Sequence, residues 1–321
     1  MDDNPLYCVL IPYKDGADKL ITCLDALVEH LPPRTIVLLV DDGSTPTQPE
    51  LDPCASDSRI HLLRHEMPQG PAAARNTGIE WCRTKNIDIV ILLDSDCIPG
   101  PDFVKSHVRL HKEHEDVVCI GGAIQGVGRG IWARLDGIAS WFTSVPGSRL
   151  RKVGRLYHIP TTNMSLKLRE LTIEGDPFDP SLRTGEDVKF IHRLQLLERK
   201  AIFSPTPVVH HLDRESLRDF LVHQYRWGLH TYAMRFGGKG KINKRLLLAL
   251  AFIPLLPAYA LVSSSINLIP WLNISKKYLI YWPALFLLYV YKGIGVIEGT
   301  LKPDRALYPI PQAKSIKHGS D

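Results

Sequence analysis

Cysteine is sparse and unpatterned in these 321 residues: Cys8, Cys23, Cys54, Cys82, Cys97 and Cys119 all fall in the first half, without a CxxC pair. Such spacing supplies neither a zinc site nor a disulfide framework, so reduced, structural thiols are expected. No long basic block interrupts the spread of Lys and Arg, and the formal net charge is only +5, which excludes nucleic acid as the expected partner. Internal repeats and low-complexity segments are absent, and a hydrophobic content of 45% is enough to bury a full core. Basic residues are missing from the opening MDDNPLYCVLIP, where a secretory signal would carry them. No cleaved leader is therefore expected, and the N-terminal half is expected to stay in the cytoplasm.

Long apolar runs are confined to the C-terminal third. Leu246 to Ile269 is free of charge, and Tyr278 to Val296 is broken only by Lys292. Each is close to the roughly 20 residues that span a bilayer. Lys239, Lys241, Lys244 and Arg245 precede the first run, and Lys302 and Arg305 follow the second, as in a hairpin with both ends inside. Lys276 and Lys277 in the connecting loop oppose that topology. Pro254, Pro257, Pro270 and Pro283 suit a broken or re-entrant segment as well as a spanning one, and a buried helical pair remains the other reading.

The first half alternates β-branched runs with helix-like segments, the pattern of βαβ units around a mostly parallel sheet. Strands are predicted at Tyr7 to Ile11, Thr35 to Val40, Ile60 to Arg64, Ile87 to Leu93 and Val117 to Ile124, with helices over Ala17 to His30 and Pro71 to Thr84. A further helix-like stretch places Ile131, Leu135, Ile138 and Trp141 on one face. In such sheets ligands sit at the carboxyl ends of strands, and the polar clusters fall there.

The strand ending in ILLDSD carries two carboxylates, Asp94 and Asp96. At i and i+2 they can address one cation or a diphosphate bound to it. After the second strand, Asp41-Asp42-Gly43-Ser44 suits hydrogen bonding to a base or ribose, although an ordinary turn has the same composition. Small residues in GPAAARNTG open a helix with Arg75 one turn in, where a guanidinium can meet phosphate or a base carbonyl. Glu186-Asp187 precede another helix, a position shared by caps and by acid–base groups. His210-His211 close a strand-like run, placing an imidazole where a further metal ligand can sit.

Taken in order, IPYKDG, VDDGS, GPAAARNTG, DSD, TTNMS, GEDVKFIHRL and VVHH resemble the family 2 inverting glycosyltransferases over roughly residues 6 to 235. The resemblance implies an α/β GT-A fold: a Rossmann-like, mostly parallel central sheet flanked by helices, here with a C-terminal hydrophobic helical hairpin. It divides the chain into a catalytic domain at 1–235, a membrane-associated hairpin at 236–300 and a cytoplasmic tail at 301–321.

Carried over by residue, the resemblance implies that Pro12, Asp41, Asp42 and Arg75 border the nucleotide, with Asp41 favoured for the base. It implies that Asp94 faces ribose or sugar, that Asp96 holds Mg²⁺ or Mn²⁺, and that Asp187 is the general base. Glu186 and Asn163 then shape the acceptor and donor-sugar pocket. His210 is the expected additional ligand, with His211 as the substitute. Two departures stand out: Tyr13-Lys14-Asp15 replaces a common Tyr-Asn pair, and Gln224-Tyr225-Arg226-Trp227 is one residue short of the QxxRW element of processive synthases. Transfer of a single sugar from a nucleotide sugar to a glycan, lipid or lipid-linked acceptor is therefore expected, at the cytoplasmic membrane face or beside a polysaccharide-assembly complex. A catalytically silent assembly protein is one alternative. A sugar nucleotidyltransferase is another, but IPYKDGADK lacks the Gly-rich loop such enzymes carry after the first strand.

Overall fold

The computed structural model describes residues 7–45, 57–154, 158–237 and 239–308, with the backbone of Ile316–His318. Cys54 and most of the expected tail lie outside the described residues. The centre is four parallel strands, β1 (Tyr7–Tyr13), β2 (Thr35–Asp41), β3 (Ile60–His65) and β4 (Ile89–Leu93), in the order β3-β2-β1-β4. The interiors of β1, β2 and β4 are buried on both faces, which is why they read as unbroken Val, Ile and Leu runs instead of alternating ones.

Beyond β4 the sheet continues with β8 (Asn163–Lys167), β6 (Val117–Gly126), β9 (Lys200–His211) and β5 (Cys97–Pro99). A two-residue strand, β7 (Arg151–Lys152), pairs with β9, and β10 (Ile316–His318) closes the other edge on β3. Here β8 and β5 are antiparallel to their neighbours, whereas β6 and β9 are parallel to each other. Six of the ten described strands thus run one way, and the carboxyl ends of β1, β2, β4, β6 and β9 face the same side of the molecule.

Helices cover both faces. On one, α1 (Ala17–Val28) sets Leu20, Leu24 and Leu27 against Val9, Ile11 and Val37. On the other, α2 (Pro71–Thr84) sits so close to β1 that a Cβ at Gly78 would strike Leu10. After α2 in sequence come α3 (Phe103–Glu113), α4 (Gly130–Ser140) and α5 (Glu186–Leu196). The face expected for α4 is correct for Leu135 and Ile138, which are buried, while Ile131 is exposed.

A long helix, α6 (Leu217–Phe236), is capped by Ser216, whose hydroxyl accepts from the Asp219 amide, and ends at Gly237 in a left-handed conformation with φ 61°. The first apolar run does not form one helix. It breaks at Pro254 into α7 (Ile242–Phe252) and α8 (Leu256–Leu272), inclined by 73°. A 3₁₀ turn over Lys276–Tyr281 leads into α9 (Trp282–Leu301). Among the described residues one helical stretch, Lys276–Leu301, is long and apolar enough to cross a membrane, with a second only if the bent pair counts as one span.

This hairpin is not a detached module. Leu268, Trp271, Leu285 and Leu288 belong to the same core as α1 and α4, and α9 lies along α6 through glycines on both helices. A Cβ at Gly228 would collide with the Lys292 carbonyl, and one at Gly299 with the Leu229 carbonyl. The described residues directly after α9, up to Tyr308, pack back onto the sheet domain. A 3₁₀ turn at Pro303–Ala306 brings Leu307 beside Leu182 and the Tyr308 amide to the Ser181 carbonyl at 2.9 Å.

Candidate functional site

At the carboxyl edge of the sheet lies a cleft of about 400 Å³. Its floor comes from Pro12 and Tyr13 at the end of β1, the Asp94-Ser95-Asp96 turn after β4, and His211 at the end of β9. Asp94 and Asp96 occupy a turn, not the last residues of a strand, and both still border the cleft. The register explains the neighbour of Asp96. Strand β5 pairs antiparallel with β9 so that Cys97 faces His211, which places the His211 Nε2 3.5 Å from Asp96 Oδ1.

That placement corrects the expectation for His210. Adjacent strand residues point to opposite faces, so when His211 turns into the cleft His210 turns away, and it is not among the cleft residues. His211 is also oriented from behind: its Nδ1 lies 2.8 Å from Asp213 Oδ1, and Asp213 accepts a 3.0 Å bond from Trp141 Nε1. With Nδ1–H donated to Asp213, Nε2 is left free to ligate. Burial disfavours the imidazolium, but Asp213 and Asp96 outweigh it and raise the pKa of His211.

Among the described residues no three His, Cys, Asp or Glu side chains converge on a ligand point. Asp96 and the carboxylate-backed His211 form an oxygen–nitrogen pair that fits a divalent cation whose remaining positions are filled by phosphate and water.

Arg75 stands between the acids. Its Nη2 donates to Asp94 Oδ1 at 2.7 Å and its Nη1 to Glu186 Oε1 at 2.8 Å, while Nε has no partner. The other Asp94 oxygen accepts from Thr162 Oγ1 at 2.7 Å. Gly185, with φ 83°, turns the chain into α5 and presents Glu186 and Asp187 on its first turn. Burial pushes Glu186 up to about 7 against the pull of Arg75, and burial likewise pushes Asp187 up to about 6, opposed by a 2.7 Å bond from the Val188 amide. His158 Nε2 lies 3.9 Å from Asp187, and burial lowers that imidazole to about 4, so it is neutral.

The remaining expected residues divide. Asp42 borders the cleft and fixes its rim, accepting from the Gln69 and Gly70 amides and from His65, each at 2.8 Å. Asp41, expected to be the better placed of the two, instead binds Arg64 and the Ser44 amide and does not reach the cleft. Asn163, expected in the acceptor pocket, is fully buried in β8. Its amide donates to the Ala123 and Pro207 carbonyls, and its oxygen meets His107 Nε2 at 2.9 Å. It holds strands together, and its neighbour Thr162 is the one that reaches the site.

Several cleft residues were not expected from the sequence to border the site. Trp227 and His223, one helical turn apart on α6, pack with ring centroids 4.6 Å apart at a tilt of 52° and line it with Arg214. The short QYRW segment was the available signal for them. Tyr308 covers the rim at Gly70, where a Cβ would strike its ring, and the Arg183 guanidinium lies 4.7 Å over that ring. Nothing in the sequence marks Tyr308, because its proximity depends on the whole hairpin.

Comparison with known proteins reaches the same elements. Residues 8–173 match the model of "Glycosyl transferase family 2". A pre-mycofactocin glycosyltransferase of Mycobacterium tuberculosis is 28% identical over 228 residues, which cover 68% of this chain and 45% of that protein. The putative glycosyltransferase EpsH of Bacillus subtilis is 24% identical, over 65% of this chain and 61% of its own length. The chain thus spans about half the length of the first of these relatives. Among solved structures, the mannosyltransferase PcManGT of Pyrobaculum calidifontis, in complex with GDP-Man and Mn²⁺, shares the fold with a TM-score of 0.57 at 16% identity, over 91% of this chain and 87% of that one.

Proposed function

Because the chain belongs to glycosyl transferase family 2, we propose that it is an inverting glycosyltransferase that moves one sugar from a nucleotide-sugar donor to an acceptor hydroxyl. One observation carries this reading: Asp96 with His211, the Arg75-centred acid cluster and Asp187 all border one cleft at the carboxyl edge of the sheet. The donor's base would lie toward Pro12, Asp42 and Gly70, and its diphosphate toward Asp96 and His211. Bound there, Mg²⁺ or Mn²⁺ would neutralise charge on the departing nucleoside diphosphate. PcManGT and GalNAc-T7 share the fold and were solved with a nucleotide or nucleotide sugar and Mn²⁺, which supports the same donor class here.

Asp187 takes the base role because it is the acid of the pair without an arginine clamp. Glu186 is tied to Arg75, and that ion pair keeps the guanidinium in place beside Asp94. With a pKa near 6, Asp187 is ionised at neutral pH yet more basic than an ordinary carboxylate, which favours removal of the acceptor proton. The acceptor oxygen attacks the anomeric carbon opposite the leaving phosphate, so one displacement inverts the configuration.

A second cavity, of about 1070 Å³, lies between α4 and the turn joining α8 to α9 and shares Asp213 with the wall behind His211. Its Trp271, Tyr278, Tyr281 and Arg134 suit an amphiphilic acceptor, which supports a lipid or lipid-linked glycan as the acceptor. The test is calorimetric titration of a panel of nucleotide sugars with Mn²⁺, with Mg²⁺ and with EDTA. Binding of one donor that disappears in EDTA and in Asp96→Ala is expected. No binding under any condition would replace this reading with that of a silent assembly protein.

A further inference from the structure

The apolar C-terminal third is tied to the catalytic domain at places a membrane-spanning hairpin would have to release. At the turn, Trp271 Nε1 donates to the Ile138 carbonyl at 3.2 Å and Arg134 donates to the Tyr281 hydroxyl at 3.0 Å, both partners belonging to α4. At the opposite end of α9, Gly295 and Gly299 press against the Tyr225 and Leu229 carbonyls of α6, and Tyr225 bonds Glu298. A helix of twenty residues is about 30 Å long, the thickness of a hydrocarbon core. Held to the same domain at both ends, α9 lies across that domain and cannot carry the turn to the far side of a bilayer.

The outward face of this layer is aliphatic. Leu247 is 68% exposed, Ile280 78% and Leu287 67%, and further exposed Leu, Ile and Val residues lie on α7, α8 and the turn. Soluble monomers rarely leave so many large apolar side chains uncovered. Charge complements them: from Gly237 to Ile297 there is no Asp or Glu, while Lys239, Lys241, Lys244, Arg245, Lys276 and Lys277 fall in that interval, and the remaining cation, Lys292, turns inward over Trp227. Lys276 and Lys277, which contradict a two-span hairpin, are explained if the turn stays on the same side as the other cations.

We propose that α7, α8 and α9 form a monotopic layer that lies in the plane of an anionic lipid surface, sinking its aliphatic face into one leaflet while the flanking lysines meet lipid phosphates. The occupant of this face is a phospholipid bilayer with net negative charge. The inference rests on the membrane localisation expected from the sequence and specifies how it is achieved; it is independent of the sugar chemistry.

The test uses the full chain in sealed inside-out membrane vesicles from expressing cells, with single substitutions Asn273→Cys at the turn and Glu115→Cys on the catalytic domain, both exposed positions. A membrane-impermeant maleimide is expected to label both without detergent, above the level of the unsubstituted chain. Labelling of Glu115→Cys before detergent but of Asn273→Cys only after it would establish a spanning hairpin and overturn the proposal. If the chain does not sediment with the vesicles at all, the membrane reading itself fails, and the two failures are told apart. In a second arm, purified protein is floated with phosphatidylcholine vesicles with and without phosphatidylglycerol. Partitioning at least about tenfold stronger with the anionic lipid is expected, reduced at least about tenfold by Lys276→Glu with Lys277→Glu. Equal partitioning into both would refute the anionic surface.

Discussion

At the scale of single residues, Asp187 sets two opposed demands. Its pKa is raised by burial to about 6, so the folded state binds its proton more tightly than the unfolded chain does. The contribution is stabilising below the unfolded value near 4 and is lost as pH rises through about 6, while the proposed base would be competent only above that same value. Transfer is therefore expected to rise with pH through about 6 and level off, and Asp187→Asn is expected to abolish transfer while leaving donor affinity within about threefold. At pH 7.5 the same variant should unfold at a higher temperature, by the equivalent of about 1 to 3 kcal/mol, read by circular dichroism. A variant that transfers sugar at the normal rate would remove Asp187 from the base role.

The two histidines give a second residue-level comparison. His211→Ala and Asp213→Asn are each expected to weaken Mn²⁺-dependent donor binding by about 10- to 100-fold, because one would supply a ligand and the other fixes its tautomer. His210→Ala should change it by less than about twofold; equal losses from both histidines would reject the geometric assignment. The sequence marked both histidines but not the choice between them, because register against β5 decides which ring faces inward. Asp41 and Asn163 were misplaced for a related reason. Residue type and motif position identify a polar side chain near a strand end, whereas its partner, Arg64 for one and His107 for the other, comes from a distant element.

At the scale of elements, the parallel core was legible because strands buried on both faces must be continuous apolar runs, and the five predicted strands all form. The short β5 was not legible and only the end of the bulged β9 was, since pairing supplied by neighbours, not composition, makes them strands. The packing of α9 on α6 was not legible either: the glycines that permit it look like interruptions in an apolar run. Gly228→Ala should cost about 1 to 3 kcal/mol in a thermal melt, because the added methyl meets the Lys292 carbonyl, a backbone atom that cannot rotate away. An unchanged melting temperature would show that the two helices separate easily.

At the scale of the whole molecule, the chain leaves the sheet after β9, builds the helical layer and comes back to the cleft at Tyr308. Tyr308→Ala is expected to raise the donor dissociation constant by about 3- to 10-fold through loss of an aromatic wall, with little change in the pH dependence proposed for Asp187. Calorimetry with the same nucleotide panel measures it.

This return path also bears on how the protein comes into being. Residues up to 235 emerge from the ribosome first and include every acid and base of the cleft, but the ring that closes its rim is made some seventy residues later, after the apolar layer. A nascent or truncated chain that stops short of Tyr308 therefore holds its chemistry with an open rim, and the rim closes only once residue 308 has been made. Fragments shortened for solubility would report on a different enzyme from the one the cell completes.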